Sequence, residues 1–444
     1  MDKLTFQQNV RLGLAAEYGS PIVTLALNLP RACPHSPDFA AVFAEGMREL
    51  RLSRLSILGH KVFSSKFFAA FAVDKEAAAL KRLLMHLEGR HPLGRLWDFD
   101  VYVGDVCLSG ASQGRATRTC FLCQEPALVC RRLGRHSRDE LYQWFLGKAQ
   151  SFVSVRKQLS KAVEQVGIRA KEAILKEAKL SPKPGLVDSR SSGVHRDMDL
   201  SLLLKSGQVI APYLMKCADL AARRAIRGIS CPQALFRRLK TIGLETEEAM
   251  FALTEGVNTH KGMIFSLGLL CGAAGTLIGR GEELTALNIC QEGAAISAGL
   301  LTHFEHINDG AGLTKGESNY YKYNSQGIRG EVNSGFPSVL NHSLPELVDS
   351  RAKYGESAAC VRSLLSLISI VDDSNILYRS GPAGLEHMQN LARGALEAGW
   401  PEDAKGLELF KQLEEFCLEA TVSPGGSADL LAVTLFLDAI VLSC

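Results

Sequence analysis

Residues 254–275 read TEGVNTHKGMIFSLGLLCGAAG, and this stretch decides the fold of most of the chain. It opens with a polar, sharply turning run that contains Gly256, Asn258, Thr259, His260, Lys261 and Gly262. It continues as an apolar segment studded with Gly268, Gly272, Ala273, Ala274 and Gly275. A helix with no polar face belongs in a core, and small residues let neighbouring helices approach closely. The reading is therefore a buried helix with imidazole, amide and ammonium groups at its N-terminal end. That end carries unpaired N–H groups and the positive pole of the helix dipole, a seat for an anion such as phosphate. Taken alone, the spacing equally describes a core helix with a polar cap, and it favours that plainer reading.

From about residue 155 onward nearly every segment has helical periodicity. Residues 155–179 read as one long helix. Others follow at 201–227, 232–241, 245–253, 283–302, 343–353, 358–371, 384–398, 402–417 and 430–442. Strand alternation is absent there, so the expectation is an all-α helical-bundle domain over 155–444. Residues 1–154 read differently, as α/β. Residues 21–29 are an apolar strand, 66–73 a second, and 91–103 (HPLGRLWDFDVYV) a turn feeding a third. Helical stripes lie between them at 38–52 and 75–88.

Composition bounds the function. The chain has 444 residues, 46% hydrophobic and 22% charged, and a formal net charge of +3. That balance is globular and too mild to imply a nucleic-acid partner. The longest uncharged apolar run, 263–278, is short for a spanning helix and rich in glycine. The expectation is a cytoplasmic protein without a membrane partner. Twelve cysteines, mostly scattered singly in apolar contexts, read as reduced thiols.

Candidate site residues fall in loops and on one strand. Asp98 and Asp100 stand two apart and point to the same side of their strand. Paired carboxylates there suit a divalent cation such as Mg²⁺ held against a triphosphate, or simply a solvated strand face. Trp97, Phe99 and Val101 face the other way, into the core. Cys120, Cys123, Cys130 and His136 have a spacing that could fold around zinc. The same residues also fit a helix with two buried thiols and a basic face.

Residues 181–199, SPKPGLVDSRSSGVHRDMD, crowd Lys183, Asp188, His195, Asp197 and Asp199 into one irregular stretch. Asp197, Asp199 and His195 suit metal–triphosphate binding or general-base work, while an N-cap alone would explain Asp199. Residues 327–337 read as a Gly-rich turn with Arg329 and Glu331. Asp372, Asp373, Asn375 and Arg379 form a further polar knot. In SPGGSAD (423–429), Gly425 and Gly426 would let backbone approach a ligand. Several such loops on one bundle point to a large anionic ligand between helix ends.

Two resemblances sharpen this. RLWDFDV, with Cys120, Cys123, Ala127, Cys130, Arg131 and His136, resembles the apo-citrate lyase phosphoribosyl-dephospho-CoA transferase family over roughly 5–152. It departs from that family after the first strand, where Pro-Gly and a Lys give way to Pro30, Arg31, Ala32 and Cys33, leaving Arg31 as the substitute phosphate contact. SPKPGLVD, H-x-DMD, GVNTHKG-x-IFSLGLL, G-x-RGE, the Asp373–Asn375–Arg379 set and SPGGSADLL together resemble the triphosphoribosyl-dephospho-CoA synthase family over roughly 161–440.

The resemblances imply a nucleotidyltransferase-like first domain and consecutive reactions. ATP and 3'-dephospho-CoA would give triphosphoribosyl-dephospho-CoA and adenine. The first domain would then pass the phosphoribosyl-dephospho-CoA group to a serine of the citrate lyase acyl-carrier (gamma) subunit, releasing pyrophosphate. Asp98 and Asp100 would hold its Mg²⁺. Asp197, Asp199 and Asp373 become base or metal candidates for donor synthesis, and His195 a proton donor. Lys183, Asn258, His260, Lys261, Arg329, Arg379, Gly425 and Gly426 become contacts to the nucleotide substrates. Two alternatives remain open at this stage: an equivalent enzyme serving malonate decarboxylase, and a carrier-binding scaffold with one inactive half.

Overall fold

A computed structural model describes residues 3–30, 36–53, 55–114, 118–123, 125–300 and 315–441. Arg31, Ala32 and Cys33 lie outside the described residues. The chain divides into two compact units, Met1–Gln158 and Leu159–Cys444.

The first unit is built on a five-stranded sheet of order β2-β3-β1-β4-β5. Its strands are β1 (Ile22–Leu27), β2 (Ile57–Phe63), β3 (Phe68–Val73), β4 (Trp97–Val103) and β5 (Val106–Cys107). Every pairing is antiparallel. Helices α1 (Lys3–Tyr18), α2 (Pro37–Leu52), α3 (Ala77–Arg90) and α4 (Ala127–Arg132) accompany it. β3, FAAFAV, is buried at every position because both sheet faces are covered. Val10 and Leu14 of α1 pack on Ile22, Phe68, Ala70 and Ala72. On the other face, Phe39, Val42 and Phe43 of α2 and Leu80, Leu84 and Leu87 of α3 meet Val23, Leu25, Trp97, Phe99 and Val101.

Two of these elements escape the sequence pattern for physical reasons. β2, ILGHKVF, is an edge strand whose outward positions carry His60 and Lys61, so its apolar alternation is broken. α1, KLTFQQNVRLGLAAEY, buries a narrow face and has weak helical periodicity.

The unit boundary falls inside α5 (Arg138–Lys179), a longer helix than the 155–179 segment expected. The second unit continues with α6 (Leu200–Ile226), α7 (Pro232–Thr254), α8 (Lys261–Arg280), α9 (Ala286–Ile296), α10 (Lys315–Tyr323), α11 (Gly327–Asn333), α12 (Leu344–Ile368), α13 (Ser374–Glu397), α14 (Ala404–Ala420) and α15 (Gly425–Val441). The separate segments expected at 343–353 and 358–371 lie in α12, broken at Gly355, whose φ is 79°. α13 is likewise broken at Gly381, φ 68°, just before Pro382. The stretch 327–337, expected as a Gly-rich turn, is instead the short helix α11. It is closed by a tight turn at Gly335 and Phe336, both at positive φ.

α8 and α15 form the centre of this unit. α8 is long and apolar enough to cross a membrane by composition, yet 72% of its apolar window is buried inside the unit. Its small residues have a visible purpose. A Cβ at Gly275 would overlap the Ala218 carbonyl of α6, and one at Gly279 would overlap that of Ala222. The two helices pack backbone to backbone along this seam.

Candidate functional sites

On β4, Asp98 and Asp100 share one face, as period-2 geometry demands, and each is half-buried. The opposite face, Trp97, Phe99 and Val101, is fully buried. The structure adds three charged residues that the sequence reading missed. Lys81 Nζ donates to the Phe99 carbonyl at 2.8 Å and to Asp100 Oδ1 at 3.1 Å. Glu88 accepts from the Phe99 N–H at 3.1 Å and from Arg118 at 2.8 Å. Lys81 and Glu88 are seven apart on α3, next to its Leu80–Leu84–Leu87 stripe. Two charges adjoining an apolar stripe at that spacing were the available signal. Burial and the neighbouring Asp100 raise the Asp98 carboxyl above its ordinary range, with Arg118 opposing. A site that holds excess negative charge in this way gains from a bound cation.

The four residues of the cysteine segment converge. Their ligating atoms all lie within 4.8 Å of one another.

In the second unit the polar loops do meet, but several candidates are turned to other work. Lys183 is buried, its ammonium donating to the Glu177 carboxylate at 2.7 Å and to the Glu177 carbonyl at 2.9 Å. The ammonium expected to meet phosphate thus pairs with Glu177 and is buried. Asp199 caps α6 by accepting the Leu202 N–H at 2.7 Å. Asp197 is exposed and stands 3.9 Å from His195, whose pKa is lowered, chiefly by burial. Arg379 also acts on His195 but is held by the Thr421 carbonyl at 2.8 Å. Asn258 accepts the Lys261 N–H at 3.1 Å and so caps α8.

The anion seats expected at helix N-termini are filled from within. Asp373 is 1% exposed. It takes the Asn375 N–H of α13 at 3.0 Å and the Ser427 N–H of α15 at 2.9 Å. Cβ atoms at Gly425 and Gly426 would crowd the Asn375 and Asp373 side chains, so glycine there lets these side chains approach the start of α15. Asp429 lies against Gly262, where a Cβ would overlap its carboxylate, and takes the Met263 N–H. Burial, then Glu177 and Asp373, hold the Asp429 carboxyl well above the usual carboxylate range. His260 is buried behind it, Nδ1 at 3.0 Å from Ser206 Oγ. Burial and then Lys183 lower its pKa to about 4, which favours the neutral imidazole.

Two cavities open at this junction. One, of about 450 Å³, is lined by Glu331, Asp372, Asp373, Asn375, Gly426 and Asp429, and among the described residues no Lys or Arg lines it. The other, of about 430 Å³, is mostly apolar, with Phe236, Leu239 and Phe265 inside and Lys240, Lys261 and Arg329 as its cations. Ile328 lines both, and Gly262, against which Asp429 rests, lines the second. Lys261 pairs with Glu247 at 2.9 Å, and Arg329 stands 3.9 Å from Glu317.

The sequence was compared with known proteins. Residues 163–443 match the family described as ATP:dephospho-CoA triphosphoribosyl transferase. Residues 6–151 match the apo-citrate lyase phosphoribosyl-dephospho-CoA transferase family. "Protein CitXG" of Haemophilus influenzae is 31% identical over 95% of this chain and 91% of its own length. "Protein CitXG" of Leuconostoc mesenteroides is 29% identical over 99% of this chain and 96% of its own. The 2-(5''-triphosphoribosyl)-3'-dephosphocoenzyme-A synthase of Klebsiella pneumoniae is 37% identical over 64% of this chain and 94% of its own length. The chain thus belongs to the ATP:dephospho-CoA triphosphoribosyl transferase family and, through its first unit, to the apo-citrate lyase phosphoribosyl-dephospho-CoA transferase family.

Proposed function

We propose that this chain makes and attaches the citrate lyase prosthetic group, one reaction in each unit. In the second unit, a ribose hydroxyl of 3'-dephospho-CoA attacks the anomeric carbon of ATP. The bond to adenine breaks, adenine leaves, and the product is 2'-(5''-triphosphoribosyl)-3'-dephospho-CoA. In the first unit, a serine of the acyl-carrier subunit attacks the α-phosphate of that product and pyrophosphate leaves.

The observation that carries the second-unit reading is the pair of cavities meeting at Asp429 and Gly262. One is acidic, with no cationic side chain among the described residues lining it, so a triphosphate would bring its own metal. Its carboxylate donors Asp372 and Glu331 fit a hard cation such as Mg²⁺, which would neutralise the triphosphate when bound. The other cavity, apolar with cations, fits the pantetheine arm and diphosphate of dephospho-CoA, with Lys261 and Arg329 on the phosphates. Asp429, at the junction and with a raised pKa, takes the proton of the attacking hydroxyl. Its carboxylate also opposes the positive charge that grows on the ribose as adenine departs.

In the first unit, which we read as nucleotidyltransferase-like, Asp98 and Asp100 would hold Mg²⁺. Lys81 orients Asp100, and Arg118 lies close enough to Asp98 to counter its charge.

The test is direct. The chain is mixed with ATP, Mg²⁺ and dephospho-CoA, and products are weighed by mass spectrometry. Free adenine and the triphosphoribosyl adduct are expected; adding apo-carrier should then give the carrier mass of the attached group with pyrophosphate. Absence of adenine would overturn the second-unit reading, and an unmodified carrier the first.

A further inference from the structure

The segment around Cys120 is held together by few apolar contacts. Leu122, Leu128, Val129 and Leu133 are 36%, 56%, 40% and 61% exposed, so little hydrophobic burial fixes their fold. Yet its backbone is specific. Thr119 bridges Pro126, Cys120 N–H donates to the Glu125 carbonyl at 2.7 Å, and Ala127 N–H to the Arg118 carbonyl at 2.8 Å. The loop so formed delivers Cys120 and Cys123, and α4 delivers Cys130. Arg135 N–H turns back onto the Cys130 carbonyl at 3.2 Å, which brings His136 over the thiols.

The distances are those of a coordination sphere. Cys123 Sγ is 3.9 Å from Cys130 Sγ, and His136 Nε2 is 3.4 Å from Cys123 Sγ. A tetrahedron with metal–sulfur bonds of about 2.3 Å and metal–nitrogen bonds of about 2.0 Å has edges of roughly 3.5–3.8 Å. The sulfur separation is far beyond a disulfide's length of about 2.05 Å. Leu122 N–H also points at Cys120 Sγ from 3.5 Å, a donor that stabilises a thiolate there. Cys120 and Cys130 are buried, at 9% and 4% exposure, so the sulfurs are shielded although the loop around them is open.

We infer that Cys120, Cys123, Cys130 and His136 bind one zinc ion in a closed, structural site. Four protein ligands leave no open position for water or substrate, so the ion has no Lewis-acid role. It supplies the cross-link that the exposed apolar side chains do not. What it fixes adjoins the acidic strand. Arg118, two residues before Cys120, reaches Glu88 at 2.8 Å, and Glu88 holds the Phe99 amide between Asp98 and Asp100. Arg95 reaches the Thr119 carbonyl at 2.6 Å and lies over the Phe121 ring, tying the knuckle to the turn before β4. The consequence for phosphoryl transfer, unlike the metal site itself, rests on the reading of the acidic strand given above.

The test uses the full chain purified without chelator or added metal. Elemental analysis should give about one zinc per chain, and exchange with Co²⁺ should give the thiolate charge-transfer and tetrahedral ligand-field bands of a sulfur-rich site. Cys120→Ser with Cys123→Ser should lose the zinc and the cobalt spectrum while still releasing adenine, which shows that the second unit remains folded, and circular dichroism should show that the first unit keeps its sheet. His136→Cys should keep the metal, because a fourth thiolate replaces the imidazole. A chain with no zinc and no cobalt spectrum would overturn the site, as would a Cys123–Cys130 disulfide found by mass spectrometry or zinc retained in the double variant. Asp98→Asn with Asp100→Asn should keep its zinc. Transfer unaffected in that variant, with zinc present, would sink the reading of the strand and leave the metal site standing.

Discussion

The two acidic sites solve one problem in opposite ways. On β4 of the first unit, Asp98 and Asp100 face side-chain cations, Lys81 at 3.1 Å from Asp100 and Arg118 beside Asp98. At the heart of the second unit, Asp373 and Asp429 face backbone, each seated on the N–H groups of a helix start. A strand has little net dipole to offer an acid, so this one borrows cations, Lys81 from α3 and Arg118 from the segment before Cys120. A bundle of helix ends offers partial positive charge without lysines or arginines. The cavity in front of those ends is lined by Glu331, Asp372, Asp373 and Asp429, and under the proposed function a nucleotide would enter it together with a metal. Under the proposed function, Asp199 and Asp373 serve as helix caps, while Asp429, which also takes the Met263 N–H, is the carboxylate assigned to chemistry.

Asp429→Asn tests that separation hardest. Removing a general base costs about 10²–10⁴-fold, so adenine release should fall by that factor while donor supplied ready-made is still transferred. The raised pKa carries a sign. The base form fills only above that raised value, so wild-type donor synthesis should decline on acidification sooner than an ordinary carboxylate would allow. The Asn variant should lack that limb. A carboxyl with a raised folded pKa stabilises the fold at low pH and loses this contribution as pH rises through that value. The melting temperature of the Asn variant relative to wild type should therefore climb with pH. A variant with normal adenine release would return Asp429 to the structural class.

Lys183→Met comes next. It strands the buried Glu177 carboxylate, whose side chain is 4% exposed, and breaking a buried pair costs about 3–5 kcal/mol. Thermal unfolding should show that loss; a stability near wild type together with weakened ATP use would restore Lys183 as a phosphate ligand. Lys261→Ala is milder, because its side chain is 54% exposed and already paired with Glu247. A charge-assisted contact to phosphate is worth about 1.5–3 kcal/mol at most. Saturation kinetics should show roughly a tenfold rise in the apparent KM for one nucleotide substrate. An unchanged KM would remove Lys261 from the site.

Asp199→Ser should do least. Serine caps a helix about as well as aspartate, so both stability and adenine release should stay close to wild type. A large loss of release in a stable Asp199→Ser chain would mean the carboxylate does chemistry after all.

How much of this was legible follows the same division. The Asp98–Asp100 face could be read from alternation alone, since Trp97, Phe99 and Val101 mark the buried side. α8 could be read from its uninterrupted apolar and small residues, and the breaks near 355 and 381 from glycine. The seating of Asp429 on α8 could not, because it joins residues far apart in the chain whose meeting depends on how α15 packs on α8. That Asp373 takes the N–H groups of two helix starts was hidden, because a polar loop after an apolar helix has the same composition whether it binds substrate or caps helices. Lys81 and Glu88 were hidden by a pattern rule that counts apolar positions and passes over the charges beside them. α11 was read as a turn because its two glycines outweighed the helical spacing of Ile328, Val332 and Glu331.

The claim that each unit carries one chemistry is tested most directly by the Asp98→Asn, Asp100→Asn chain. It is given ATP, Mg²⁺, dephospho-CoA and apo-carrier, with all products followed by mass spectrometry. Loss of metal-held charge at a phosphoryl centre costs several kcal/mol, on the order of a thousandfold in rate. Adenine and triphosphoribosyl-dephospho-CoA should therefore accumulate at the wild-type rate, while the carrier stays unmodified and no pyrophosphate forms. A folded variant that releases no adenine, or one that still modifies the carrier at a normal rate, would contradict the account.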